Sequence, residues 1–187
     1  MIDKAFIQEI LAKGKIARQK VQQELSQLSF DQLNWKPAPG SWSVAQCLEH
    51  LLVSHSTYFP GLEKIISGTY KMTPWEKYSP FTRLCGRIMK DQLQERVTRK
   101  MKAPARIRPS ASKIDDDIVQ RYCDNLETFL NYVSACQAID IDHTVITSPM
   151  IGIVTYSLRD AFQFLLQHEH RHINQAIRVK ANDDFPK

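Results

Sequence analysis

The sequence has no C-x-x-C pair and no cysteine spacing that suggests a zinc site, so Cys47, Cys85, Cys123 and Cys136 read as free thiols of a reducing compartment. No apolar run approaches the roughly 18 residues of a spanning helix, which argues against an integral membrane protein. The opening residues, MIDKAFIQEILAKGK, show amphipathic helical spacing instead of the layout of a signal peptide, and the expected location is cytoplasmic. There is no internal repeat and no low-complexity segment. Helix-turn-helix, RNP and zinc-finger signatures are also missing, which weighs against the familiar nucleic-acid-binding modules.

What is present describes an ordinary globular chain. Its 187 residues, 43% hydrophobic and 24% charged, fit a single domain over residues 1–187 that can bury a core without staples. A metal in such a chain would serve chemistry more readily than folding. The net charge of +5 is unevenly placed, because ten Lys or Arg residues fall between Arg83 and Lys113 against only Asp91 and Glu95. That basic tract can attract phosphate or nucleic acid, but runs of this kind are more often solvated loop. Neither a nucleic-acid nor a membrane partner is expected.

Apolar residues at Ile7, Ile10, Gly14, Ala17, Val21, Leu25 and Leu28 predict a first helix over 2–28. Pro37, Pro39 and Gly40 then impose a loop, in which Trp35 and Trp42 read as covers of a core edge rather than ligand-stacking groups. Ser43 and Gln46 form a capping-box pattern ahead of Val44, Cys47, Leu48, Leu51, His55, Phe59 and Leu62, predicting a second helix over 43–66. Pro74, Pro80, Gly86, Pro104 and Pro109 punctuate the next stretch, leaving room for one helix over 81–100. Ser112 and Asp115 suggest a capping box for a third helix ending near Gln137, with Ile114, Ile118, Tyr122, Leu126, Phe129, Leu130 and Val133 inward. Asp115, Asp116 and Asp117 suit the positive end of that helix better than a cation site.

The connector 138–156 carries HTVIT and IGIVTY, which either pair locally or cross the end of the helices, and its His143 reads as surface. Ser157 and Asp160 open a fourth helix that reaches Lys180. The expected architecture is all-α, a four-helix bundle with a long irregular crossover between helices two and three.

Candidate chemistry centres on the fourth helix. At roughly 100° per residue, His168 and His172 point the same way, while His170 falls on nearly the opposite side. Two imidazoles at i, i+4 converge well on one divalent ion, and a bundle can supply a third from a facing helix, where His50 stands. Three nitrogens leave a coordination position open for water or a substrate. Each histidine alone also admits the plainer reading of a boundary residue bonded to its neighbours. Cys47, one turn before His50, reads as a small buried hydrophobe ahead of ligand or nucleophile. Glu49 and Glu169 adjoin ligand positions but point about 100° away from them, and Arg171 and Gln175 flank the site or are solvated.

WKPAPGSWSVAQCLEHLLVS followed by HEHRHINQA resembles the DinB-like superfamily over nearly the whole chain. The matching anchors are Trp42, Ser43 and His50, then His168, Arg171, His172 and Gln175. The resemblance implies a four-helix bundle, often dimeric, with His50, His168 and His172 holding a divalent transition metal: zinc, nickel, iron or manganese. It further implies an enzyme of the small-thiol S-transferase or hydrolase-like type, in which the metal activates a low-molecular-weight thiol or water against a small-molecule substrate. The alternatives are a non-catalytic dimeric bundle that binds a small ligand or protein partner and, behind it, nucleic-acid binding through residues 83–113. Catalytic and cofactor-binding residues beyond the ligands are left unassigned.

Overall fold

The structure, a computed structural model, describes residues 2–82 and 104–187. Helix α1 (Lys4–Leu25) starts where the Asp3 carboxylate accepts from Phe6 N at 2.9 Å, and it buries Ile7, Ile10, Ala17, Val21 and Leu25. It ends before Leu28. Ser29 and Gln32 then build a capping box for the short helix α2 (Phe30–Asn34).

Helix α3 (Val44–Ser56) opens with the expected reciprocal capping box of Ser43 and Gln46. The single helix expected over 43–66 is broken, because α3 stops at Ser56 and α4 (Phe59–Ile66) begins after Thr57 and Tyr58. Two physical causes coincide. Pro60 offers no backbone N–H and therefore belongs to the first turn of a new helix. In the last turn of α3, the Ser54, Ser56 and Thr57 hydroxyls donate to the carbonyls of His50, Leu52 and Ser54, competing with the backbone for helical acceptors.

Helix α5 (Pro74–Tyr78) follows. The helix expected over 81–100 lies outside the described residues, except for Phe81 and Thr82. A 3₁₀ turn at Ala105–Ile107 leads towards α6 (Ile118–Ala135). The capping box expected at Ser112 and Asp115 does not form, and Asp117 occupies the N-cap. Asn34 explains the delay: its side chain accepts from Ile114 N and donates to Ile114 O, both at 2.8 Å, which holds the chain out of helix there. After a 3₁₀ turn at Cys136–Ala138, β1 (Val145–Thr147) pairs antiparallel with β2 (Thr155–Ser157), Ile146 opposite Tyr156. The connector segments therefore pair locally. Ser157 caps α7 (Leu158–Lys180), accepting from Asp160 N as the sequence predicts.

Helix α1 lies against α6 and α7, and α3 lies against the same two. These four long helices enclose a common apolar core. The fold is thus an all-α bundle with a two-stranded hairpin added. Close approach of α1 and α6 explains a glycine in mid-helix, since a Cβ on Gly14 would sit 2.4 Å from Leu130 Cδ2. Arg159 pairs with Asp3 and Asp142 and stacks over Phe6, tying the start of α7 to that of α1. Glu76 in α5 accepts from Tyr70 Oη, Thr73 N and Thr147 N, which fastens the crossover to β1. Among the described residues, no helix is long and apolar enough to cross a membrane.

Candidate metal centre

The capping box fixes where α3 starts, and so which side of it faces α7. His50 is presented from its second turn, buried among Cys47, Leu48 and Leu51. Helix α7 presents His168 and His172 one turn apart. Ligand-capable atoms of the three histidines all lie within 4.8 Å of one another. His50 Nε2 and His168 Nε2 are 2.9 Å apart, and the ring centroids stand 4.6 to 4.8 Å from one another. His170 is not part of the cluster, in keeping with its opposite facing, and His143 is exposed beside Asp140.

Hydrogen bonds set the tautomers. His50 Nδ1 donates to the carbonyl of Ile107 at 2.6 Å, and His172 Nδ1 donates to Gln175 Oε1 at 2.9 Å. Each bond places the proton on Nδ1 and leaves the Nε2 lone pair available, in His50 facing His168. Gln175 is therefore an orienting residue and not merely a solvated one.

This donor set fits a divalent transition ion. Two nitrogens bound to one ion at about 2.0–2.1 Å stand roughly 3 Å apart, close to the separation of His50 and His168. Among the described residues no carboxylate joins the cluster, and aromatic rings line it, with Trp42 stacked on His172 at 5.5 Å and 4.9 Å from His50, and Phe164 stacked on His168 at 5.9 Å.

Desolvation lowers the basicity of all three imidazoles. In His50 the Ile107 bond acts against it, in His168 the other two histidines reinforce it, and His172 is pushed down to about 3 with His50 as a further cause. Neutral imidazole is the form that ligates a metal. The sign for stability follows from the same shifts. Unfolded histidine titrates near 6.5, above the folded values, so the unfolded chain takes up protons first. Metal-free protein therefore keeps the full contribution above about pH 6.5 and loses it as pH falls, for His172 down towards about 3. Urea midpoints of chelator-treated protein should decline from about pH 7 to about pH 5.5, before carboxylates titrate strongly. A flat profile would contradict neutral, desolvated histidines.

Three features escape the sequence reading. Trp42 belongs to the site instead of only covering a core edge, a placement that follows from its adjacency to the N-cap of α3. The orienting partner of His50 is a backbone carbonyl, and no side-chain pattern could reveal it. Glu169 turns into the core beside His55 of α3 and Tyr122 of α6. Its signal was available, since Glu169 shares a helical stripe with Phe162, Leu165, Ile173 and Ala176, all buried. Cys47 is fully buried and desolvation pushes its thiol up to about 12, which removes it as a nucleophile.

A helical bundle carrying three convergent imidazoles, one from α3 and an i, i+4 pair from α7, defines a protein with a candidate histidine metal centre. The profile of the DinB superfamily matches residues 15–176, and the chain belongs to that superfamily. It is also similar to an uncharacterized protein, YuaE, of Bacillus subtilis (strain 168), with 26% identity over 166 residues, 88% of this chain and 93% of that protein. No solved structure matches the chain.

Proposed function

We propose that the protein is a metal-dependent enzyme of the small-thiol S-transferase type, with His50, His168 and His172 as the ligands of one divalent transition metal. The observation that carries this reading is the convergence of three buried or half-buried imidazoles, two of them fixed as Nδ1–H tautomers, on one point between α3 and α7. A bound divalent ion of this kind lowers the pKa of a coordinated thiol or water and so supplies a nucleophile near neutral pH.

The chain's own residues do the rest. The Ile107 carbonyl and Gln175 hold two imidazoles in ligating orientation, and Trp42 and Phe164 stack on the His172 and His168 rings. With three protein donors among the described residues, a position stays open for a small-molecule substrate. Desolvation keeps the imidazoles unprotonated, so the ligand set persists in mildly acidic conditions.

Protein purified without an affinity tag should contain about one transition metal per chain, by elemental analysis. Turnover in a screen of low-molecular-weight thiols against haloarene and epoxide electrophiles should rise and fall with metal content. Metal-replete protein inactive with every thiol would reject the transferase reading.

A second reading, a non-catalytic homodimeric bundle, draws on one observation. Trp75 and Ile153 stay exposed although Trp75 Nε1 donates to Ile153 O, and Tyr78 and Ile151 beside them in sequence are exposed as well. Sedimentation of wild type against Ile153→Glu decides whether that face joins two copies, and the thiol screen decides between the readings.

A further inference from the structure

We propose that Glu49 is a positioning residue for the metal centre: by clasping Ser110 it holds the strap of residues 104–113 where the Ile107 carbonyl fixes the His50 tautomer. This inference rests on the metal-binding reading of His50 given above.

The strap runs past the N-terminal half of α3 and meets it at three successive positions on one side. Gln46 Nε2 donates to Ser110 O at 2.6 Å. The Glu49 carboxylate accepts from Ser110 N at 2.6 Å and from Ser110 Oγ at 2.9 Å. His50 Nδ1 donates to Ile107 O, three residues earlier in the strap. Gln46 already serves the capping box of α3 and Ile107 is buried, so both ends of this ladder rest on fixed elements. Further along, Asn34 holds Ile114 from both sides.

Glu49 differs from the other tethers in kind. Its contact is the one charge-assisted, two-pronged bond in the ladder, and it grips both the backbone and the side chain of Ser110. The Ile107 carbonyl sits in a 3₁₀ turn whose C-terminal exit at Arg108 is extended, so its aim depends on where Ser110 is fastened. Without the clasp the carbonyl drifts, His50 samples the Nε2–H tautomer, and that tautomer cannot ligate through the nitrogen facing His168. Glu49 itself does not enter the histidine cluster and touches no reacting group, so its effect passes entirely through Ser110 and Ile107.

The test uses the full chain, Co(II) as probe, and three proteins: wild type, Glu49→Ala and Glu49→Gln. Co(II) affinity and visible absorption report the site, and long-range ¹H–¹⁵N correlation spectra of metal-free protein report the His50 tautomer. Glu49→Ala should bind Co(II) about tenfold or more weakly and show mixed His50 tautomers, while its thermal midpoint stays near that of wild type. Glu49→Gln keeps one acceptor oxygen for Ser110 and should recover part of the affinity and most of the Nδ1–H form. If both variants weaken Co(II) equally and His50 stays Nδ1–H, Glu49 acts only through its charge and the positioning role is overturned. Unchanged affinity and tautomer in Glu49→Ala overturn it as well. A wild type that binds no Co(II) rejects the metal reading instead, and the tautomer of the metal-free variants still decides whether Glu49 positions His50.

Discussion

His50→Ala and His168→Ala should each abolish stoichiometric metal binding while the helical content of the protein persists. Removing an outer partner of a metal ligand typically weakens binding by about 10–100-fold, and removing a proposed ligand itself should exceed that range. The fold should survive because the histidines sit at one edge of a core built mainly from aliphatic and aromatic side chains on four helices. Among the described residues the buried Nδ1 of His168 also has no hydrogen-bond partner, so the metal-free protein gains little from that imidazole. His170→Ala, on the same helix and two residues from each ligand, should retain wild-type metal content. Elemental analysis and far-UV circular dichroism of the three variants check the set. Equal metal loss in His170→Ala would contradict the assignment of that residue to the opposite face.

That contrast was legible in the sequence because helical geometry is nearly invariant. A rotation of roughly 100° per residue is enough to unite His168 with His172 and to separate His170 from both. The Ser43 and Ser157 caps were equally legible, since a capping side chain and its backbone partner are three residues apart and need no tertiary information. The failures share a different cause. At Ser112 and Asp115 the same local pattern was present, but Asn34, 80 residues away from Ile114, holds the backbone in a non-helical course. At Thr57 and Tyr58 the apolar stripe ran on through a break caused by hydroxyl back-bonding and Pro60. Periodicity registers which face is buried and is blind to a break that keeps that face aligned. The orienting carbonyl of Ile107 is harder still, because every residue has a carbonyl and only the folded chain says which one meets His50.

The histidine cluster is also tied to the way the bundle closes. The helices that carry the ligands, α3 and α7, are joined a little further along by a second polar contact between buried groups. His55 and Glu169 are 0% and 1% exposed, and His55 Nε2 lies 2.9 Å from Glu169 Oε2. The separation is that of a hydrogen bond, but the N–H is not aimed along it, and neither of these two atoms has another partner among the described residues. We read the contact as electrostatic, held in place by what surrounds it. Tyr122 Oη donates to the other Glu169 oxygen, and the His55 ring is stacked on Phe129 at 4.8 Å and 10°.

The cost of breaking this contact should be among the largest of any single substitution in the protein. His55→Leu leaves a buried carboxylate with Tyr122 as its one remaining hydrogen-bond donor among the described residues, and uncompensated buried charges cost roughly 3–5 kcal/mol. Glu169→Leu should cost less, because it leaves behind an imidazole stacked on Phe129 and the Tyr122 hydroxyl instead of a buried carboxylate. Replacing both partners by leucine removes the uncompensated group altogether, and apolar replacements of buried pairs are often neutral or stabilising. The double variant should therefore be more stable than His55→Leu alone, with the residual deficit set by the Tyr122 hydroxyl, at about 1–3 kcal/mol for one unsatisfied buried group. Adding Tyr122→Phe should recover most of that. Urea unfolding of the two singles, the double and the triple gives the coupling directly. A His55→Leu protein within about 1 kcal/mol of wild type would mean that water or a shifted side chain reaches Glu169, and the pair would then not be a clamp between α3 and α7.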